Sequence, residues 1–148
     1  MEIKEFIKKP IVVANIVILL CFLLLPYFQM SMGYWGAVSK SGIGLFWTIF
    51  DNFRPLNFLL ILVPAANIFI LYKIWKKEEA NFQLFKFVIF VVLFVLFLNI
   101  AFFAEKSSIK FVGFGLWLSL IIAIAQLFEQ KVVEFINKQL PEDKKIKE

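Results

Sequence analysis

A chain of 148 residues that is 61% hydrophobic and holds 20 phenylalanines is too apolar for a soluble domain of this size. Its formal net charge of +5 does not point to nucleic acid, because the lysines gather at the ends of apolar stretches, where they set membrane topology. With no histidine and one cysteine, Cys21, it can form neither an intrachain disulfide nor a His/Cys metal site. The pattern predicts an all-α membrane protein, a single domain over 1–148: a four-transmembrane-helix bundle with a cytoplasmic amphipathic C-terminal helix extension.

Residues 1–10 are a basic lead with Lys4, Lys8 and Lys9, and Pro10 suits the first turn of a helix, where its missing N–H costs nothing. Span one covers 11–28. It is long for a signal-peptide core, and no small-x-small site follows Tyr27, so it reads as a retained span. The connection 29–54 is the longest and is rich in aromatic residues, with 45–50 expected at the interface or at an early start of the next helix.

Span two covers 55–75, with Pro64 expected to kink it near its middle. A short charged loop makes spans two and three antiparallel neighbours, and Asn81 is placed to cap span three. Span three covers 82–104. Its stretch FVIFVVLFVLFLNIAFFA has Asn99 as its only polar side chain and, at about 1.5 Å per residue, matches a hydrocarbon core of about 30 Å. Phe87, Phe90, Phe94 and Phe97 share one stripe, expected to face lipid or to pack.

Span four covers 109–128, with Ser107 or Ser108 as its cap. Gly115, Ser119 and Ala123 recur every four residues and define a helix-packing face, expected against span one or two, with a homodimer seam as the alternative. The helix then continues over 127–140. There Phe128, Val132, Phe135, Ile136 and Leu140 form a cytoplasmic amphipathic face for the membrane surface or a partner, and Pro141 ends it.

Lys40, Arg54, Lys106 and Lys110 fall on one side of this layout and the other twelve of the 16 Lys and Arg on the opposite side. Positive loops stay inside, so both termini are expected in the cytoplasm. Tyr27, Tyr34, Trp35 and Trp47 mark the outer belt, and Tyr72 and Trp75 the inner one. The Phe/Ile/Lys-rich usage is that of an AT-rich bacterial genome, which makes the bacterial inner (plasma) membrane the expected location.

Every carboxylate lies in a loop, an end or the tail, so the mid-membrane acid of a proton-coupled antiporter is missing. No nucleophile stands with a base, and no acid cluster suits a divalent metal. The expectation is therefore no enzyme and no cofactor. Asn15, Asn67, Asn99, Ser119 and Gln126 are the polar residues within the spans, read first as interhelical hydrogen-bonding groups. Asn67 and Asn99 could also line a polar path.

On the outer side, Gly42-Ile43-Gly44-Leu45 echoes Gly113-Phe114-Gly115-Leu116, with Trp47 and Trp117 following. This is either a trace of two similar helical hairpins or the usual gathering of glycine and tryptophan at interfaces. Trp35, Gly42, Gly44 and Trp47 are the candidate outer-loop contacts.

Four spans, a longer aromatic first outer loop and a short second one resemble the claudin-type tetraspan layout. Trp35 followed by Gly44-Leu45-Phe46-Trp47 resembles that family's Trp…Gly-Leu-Trp pattern, although Phe46 breaks the spacing and the paired loop cysteines are absent. The head of span four, GFGLWLSLI from Gly113, is similar to small bacterial tetraspan proteins. The resemblance implies a role through contacts. Two functions follow as expectations: an accessory or scaffold subunit that meets lipid and other membrane subunits or itself, and, as alternative, a small oligomeric channel or transporter.

Overall fold

A computed structural model describes residues 3–31, 34, 36–47, 55–78, 81–103, 108–129 and 138. A short helix α1 (Ile3–Ile7) ends at Lys8, and Lys9 turns into an extended conformation so that Pro10 opens helix α2 (Pro10–Leu24). Proline at this first position lacks only an N–H that no helical carbonyl awaits.

The chain then departs from an all-helical design. Strand β1 (Pro26–Ser31) pairs antiparallel with β2 (Ala37–Ser41), with Gln29 opposite Ser39 and Met30 opposite Val38. The expected span one therefore stops four residues early, at Leu24, and the loop 29–54 contains a hairpin. The physical cause is Pro26. It denies the helix an N–H and pushes Leu25 into an extended conformation (φ −92°, ψ 149°). Helix α3 (Gly42–Trp47) follows directly; of the 45–50 stretch singled out in the sequence, residues 48–50 lie outside the described residues.

A 3₁₀ segment, Pro55–Ile61, leads into α4 (Leu62–Trp75). Pro64 falls in the first turn of α4, where the change from 3₁₀ to α pitch absorbs its missing N–H. Pro64 thus stands where the helical run Phe58–Trp75 changes from 3₁₀ to α pitch. The far end closes on Lys77 in the left-handed region (φ 57°), with Lys77 N–H donating to the Ile74 carbonyl and Glu78 N–H to Lys73, a Schellman cap without glycine. Lys73 and Glu78 also form an ion pair.

Helix α5 (Phe82–Leu98) begins at the expected cap, the Asn81 side chain accepting from Gln83 N–H at 3.1 Å. It runs on through a π-helical turn, Asn99–Phe103. Ser108 caps a separate 3₁₀ turn, Ile109–Phe111, rather than span four, and α6 (Phe114–Leu127) starts only at Gly113.

The four long helices pack in a closed ring, α2 on α4, α4 on α5, α5 on α6 and α6 back on α2. Val12, Ile18, Val63, Ile70, Ile89, Leu93 and Leu116 fill the centre. The ring has two distinct ends. At one, Phe6 meets Trp75 edge-on at 5.3 Å and Lys86 pairs with Glu129; at the other stand the hairpin and the Phe97–Trp117 contact at 4.9 Å. The starts of α2 and α5 and the finishes of α4 and α6 thus share one end. Two helices, Phe58–Trp75 and Phe82–Phe103, are long and apolar enough to cross a membrane, while α2 and α6 are shorter apolar helices. Phe87 and Phe94 on the expected stripe face outward, and Phe90, Phe94 and Phe97 stack along it.

Candidate functional site

The seam between α2 and α6 holds most of the chemistry. The two helices run antiparallel, with Leu25 against Gly115, Cys21 beside Ser119, and Ile11 sharing a groove with Gln126 and Glu129. This register puts Asn15 at the depth of Gln126.

At the hairpin end the seam is closed. Gly113 N–H donates to the Tyr27 carbonyl at 2.9 Å, and Phe28 makes a bridge to Val112. A Cβ on Gly113 would overlap the Pro26 carbonyl, and one on Gly115 would lie 2.6 Å from Leu25 Cβ. Only glycine lets the two backbones approach this closely. Tyr27 is fully buried, packs edge-on against Phe22 at 5.7 Å, and shares a 2.7 Å hydrogen bond with Ser119 Oγ. Gly115, Ser119 and Ala123 are all buried on α6, with Gly115 against Leu25 and Ser119 bonded to Tyr27.

On the hairpin cap, Gly42 lies directly under the Phe22 ring, and Gly44 N–H donates to Ser41 Oγ at 3.3 Å. Trp47 meets Phe46 edge-on at 5.8 Å and is 58% exposed. Trp35 lies outside the described residues. Gly42, Gly44 and Trp47 thus share one short helix: Gly42 anchors it and Trp47 projects from it.

The buried carboxamides behave differently from the expectation of interhelical bonding. Asn15 Nδ2 donates to the Ile11 carbonyl and Asn67 Nδ2 to the Val63 carbonyl, each at 2.7 Å and each within its own helix. Both Oδ1 atoms remain buried without a partner among the described residues. Asn99 is half-buried at the start of the π-helical turn, far along α5 from the middle of α4, and no hydrogen bond among the described residues joins it to Asn67.

At the other end the α2–α6 seam opens into a groove of about 220 Å³ lined by Pro10, Ile11, Ala14, Ile121, Ile122, Ala125, Gln126 and Glu129. Gln126 is 5% exposed, and neither Nε2 nor Oε1 has a partner among the described residues. On the rim, Glu129 accepts from the buried Lys86 ammonium at 2.6 Å. Phe128, half exposed, stands beside it, while Val132, Phe135, Ile136 and Leu140 lie outside the described residues. A sequence signal for this groove existed: Gln126 stands seven residues after Ser119 and extends the same small-residue face.

Among the described residues, no group of three His, Cys, Asp or Glu is placed to hold a metal. No protein-family model matches the chain, and neither a curated protein nor a solved structure matches it significantly.

Proposed function

We propose that the chain is an integral membrane protein of four spans, seated in the bacterial inner (plasma) membrane with both termini cytoplasmic, and that it acts as a non-enzymatic accessory or scaffold subunit. The sidedness of charge supports the topology. Among the described residues, Lys4, Lys8, Lys9, Lys73, Lys76, Lys77 and Lys86 belong to the ring end where α2 begins and α6 finishes, and Lys40 and Lys110 to the hairpin end. The hairpin itself suits a headgroup layer, because its backbone groups bond to each other and to Gly113 rather than facing hydrocarbon.

The observation that carries the function is the outer platform. The hairpin and α3 are fastened to the bundle through Gly42, Gly113 and Tyr27, and from this fixed base Trp47 and Ile43 project. A rigid, aromatic, exposed patch on a helix costs little to order on binding and is what a partner subunit would grip. Purification of the full chain in mild detergent should yield one stoichiometric partner or a defined oligomer, and Trp47→Ala with Ile43→Ser should release it. A monomer without a stoichiometric protein, or a complex indifferent to both substitutions, refutes this role.

The alternative, a small oligomeric channel or transporter, draws its support from the unpartnered Asn15, Asn67 and Gln126 atoms inside the ring. It requires proteoliposomes of the pure chain to pass a specific ion or small solute, and Asn67→Leu to stop it.

A further inference from the structure

We propose that Asn15, Asn67 and Gln126 form one polar layer inside the four-helix ring, and that this layer binds internal water that ties α2, α4 and α6 together. The site is internal and does not depend on the membrane reading.

The helix registers bring the three side chains to one level. On α2 and α6, Leu25 lies against Gly115 and Cys21 beside Ser119, and the same antiparallel register carried along both helices sets Asn15 opposite Ala125. On α5 and α6, Phe97 meets Trp117 and Lys86 pairs with Glu129, which sets Gln126 opposite Val88 and Ile89. On α4 and α5, Phe69 stacks on Phe85 at 4.5 Å, which sets Asn67 opposite Phe87. The three carboxamides therefore fall within about two residues, roughly 3 Å, of one another along the bundle axis. All three are buried, Asn15 and Asn67 completely. A core layer of a four-helix bundle takes one inward residue from each helix, and Ile89, fully buried on α5, is the fourth member here.

The unmet atoms match water. Asn15 Nδ2 and Asn67 Nδ2 each donate to a carbonyl one turn back in their own helix. That bond fixes which atom of each amide is the nitrogen and leaves Oδ1 an acceptor without a donor among the described residues. Gln126 adds a donor, Nε2, and a third acceptor, Oε1. Native structures rarely leave such groups unpaired, and internal waters making about three hydrogen bonds are their usual partners. One water donates its two hydrogens to Asn15 Oδ1 and Asn67 Oδ1 and accepts from Gln126 Nε2. A second donates to Gln126 Oε1. A metal cation fits less well, because the layer itself holds no carboxylate, and Glu129, within about one turn, already neutralises the Lys86 ammonium. Val12 and Ile70 on one side and Ile18 and Val63 on the other are fully buried and apolar, so they close the layer and slow the exchange of its water.

The test is water–amide NMR of the 15N-labelled full chain in mild detergent. The side-chain NH2 groups of Asn15, Asn67 and Gln126 should each show a cross-peak to water in which NOE and ROE have opposite signs, the signature of water that tumbles with the protein. The exposed Asn81 amide, on its helix cap, should show only the signal of bulk water. Gln126→Leu should reduce the bound-water signal at Asn15 and Asn67. In thermal melts, Asn15→Leu and Asn67→Leu should be coupled through the shared water. The double variant should melt about 1–6 °C above the value obtained by adding the two single shifts.

Circular dichroism reports whether each variant is folded. Wild-type amides without a bound-water signal refute the site whether or not any variant folds. Cross-peaks among the three amides with none to water refute it too, because the groups then bond directly. Additive melting shifts in folded variants refute the shared water.

Discussion

Gly113→Ala tests the seam most directly. The added methyl would occupy space now held by the Pro26 carbonyl, with the Tyr27 backbone carbon 2.9 Å away, and neither is a flexible side-chain end that can swing aside. Overpacking of this kind costs about 1–3 kcal/mol, and the displaced strand loses the Gly113–Tyr27 backbone hydrogen bond, worth about 0.5–1.5 kcal/mol. The sum is about 1.5–4.5 kcal/mol. For a domain of this length each kcal/mol lowers the melting temperature by about 2–4 °C, so the variant should melt about 3–18 °C below the wild type. Tryptophan fluorescence during heating in one fixed detergent reads this. Gly115→Ala, with its Cβ against Leu25, should fall in the same direction. Gly44→Ala is the control: its Cβ meets only Ser41 and Lys40 atoms at 3.5–3.6 Å, so it should shift stability by less than about 0.5 kcal/mol. A Gly113→Ala protein that melts with the wild type would show that α6 and β1 do not touch as described.

Tyr27→Phe and Ser119→Ala each remove one side of a buried 2.7 Å hydrogen bond, and the double variant should be less destabilised than the two singles added together. The coupling should be about 0.5–1.5 kcal/mol from thermal melts of all four proteins, and additivity would deny the bond. Removing the ion pair from either side should be asymmetric. Glu129→Gln strands the Lys86 ammonium, 8% exposed, and should cost about 1–3 kcal/mol, less than a fully buried pair because Glu129 itself is 37% exposed. Lys86→Met leaves a carboxylate that water reaches and should be near neutral, so equal losses in the two melts would contradict the burial of Lys86.

The apolar helices were legible because a segment of hydrocarbon side chains leaves the backbone no partner but itself. The Asn81 cap and the proline start of α2 were legible for an equally local reason, since each depends on one residue and the N–H groups next to it. The hairpin was not. Its strands hold polar, aromatic and small residues that read equally well as an interfacial loop. What commits them is pairing across the turn and the bond from Gly113, nearly ninety residues away in the chain. Pro64 marks a break in helical regularity, but the 3₁₀ pitch of the segment before it carries no sequence signal of its own. The small-residue face was visible as spacing alone. Its direction, inward on Leu25 and Tyr27, required the fold.

The two ends of that one face explain why closure and opening coexist in a single helix pair. At the hairpin end the facing residues are glycines, and backbone meets backbone with nothing between. Toward the other end the facing positions become Ala14 and Ala125, whose methyl groups are too small to fill the space that Ile11, Ile121 and Ile122 hold apart. The Gln126 amide, buried behind that wall with no partner among the described residues, adds no stability there. A leucine there would pack better and cost less.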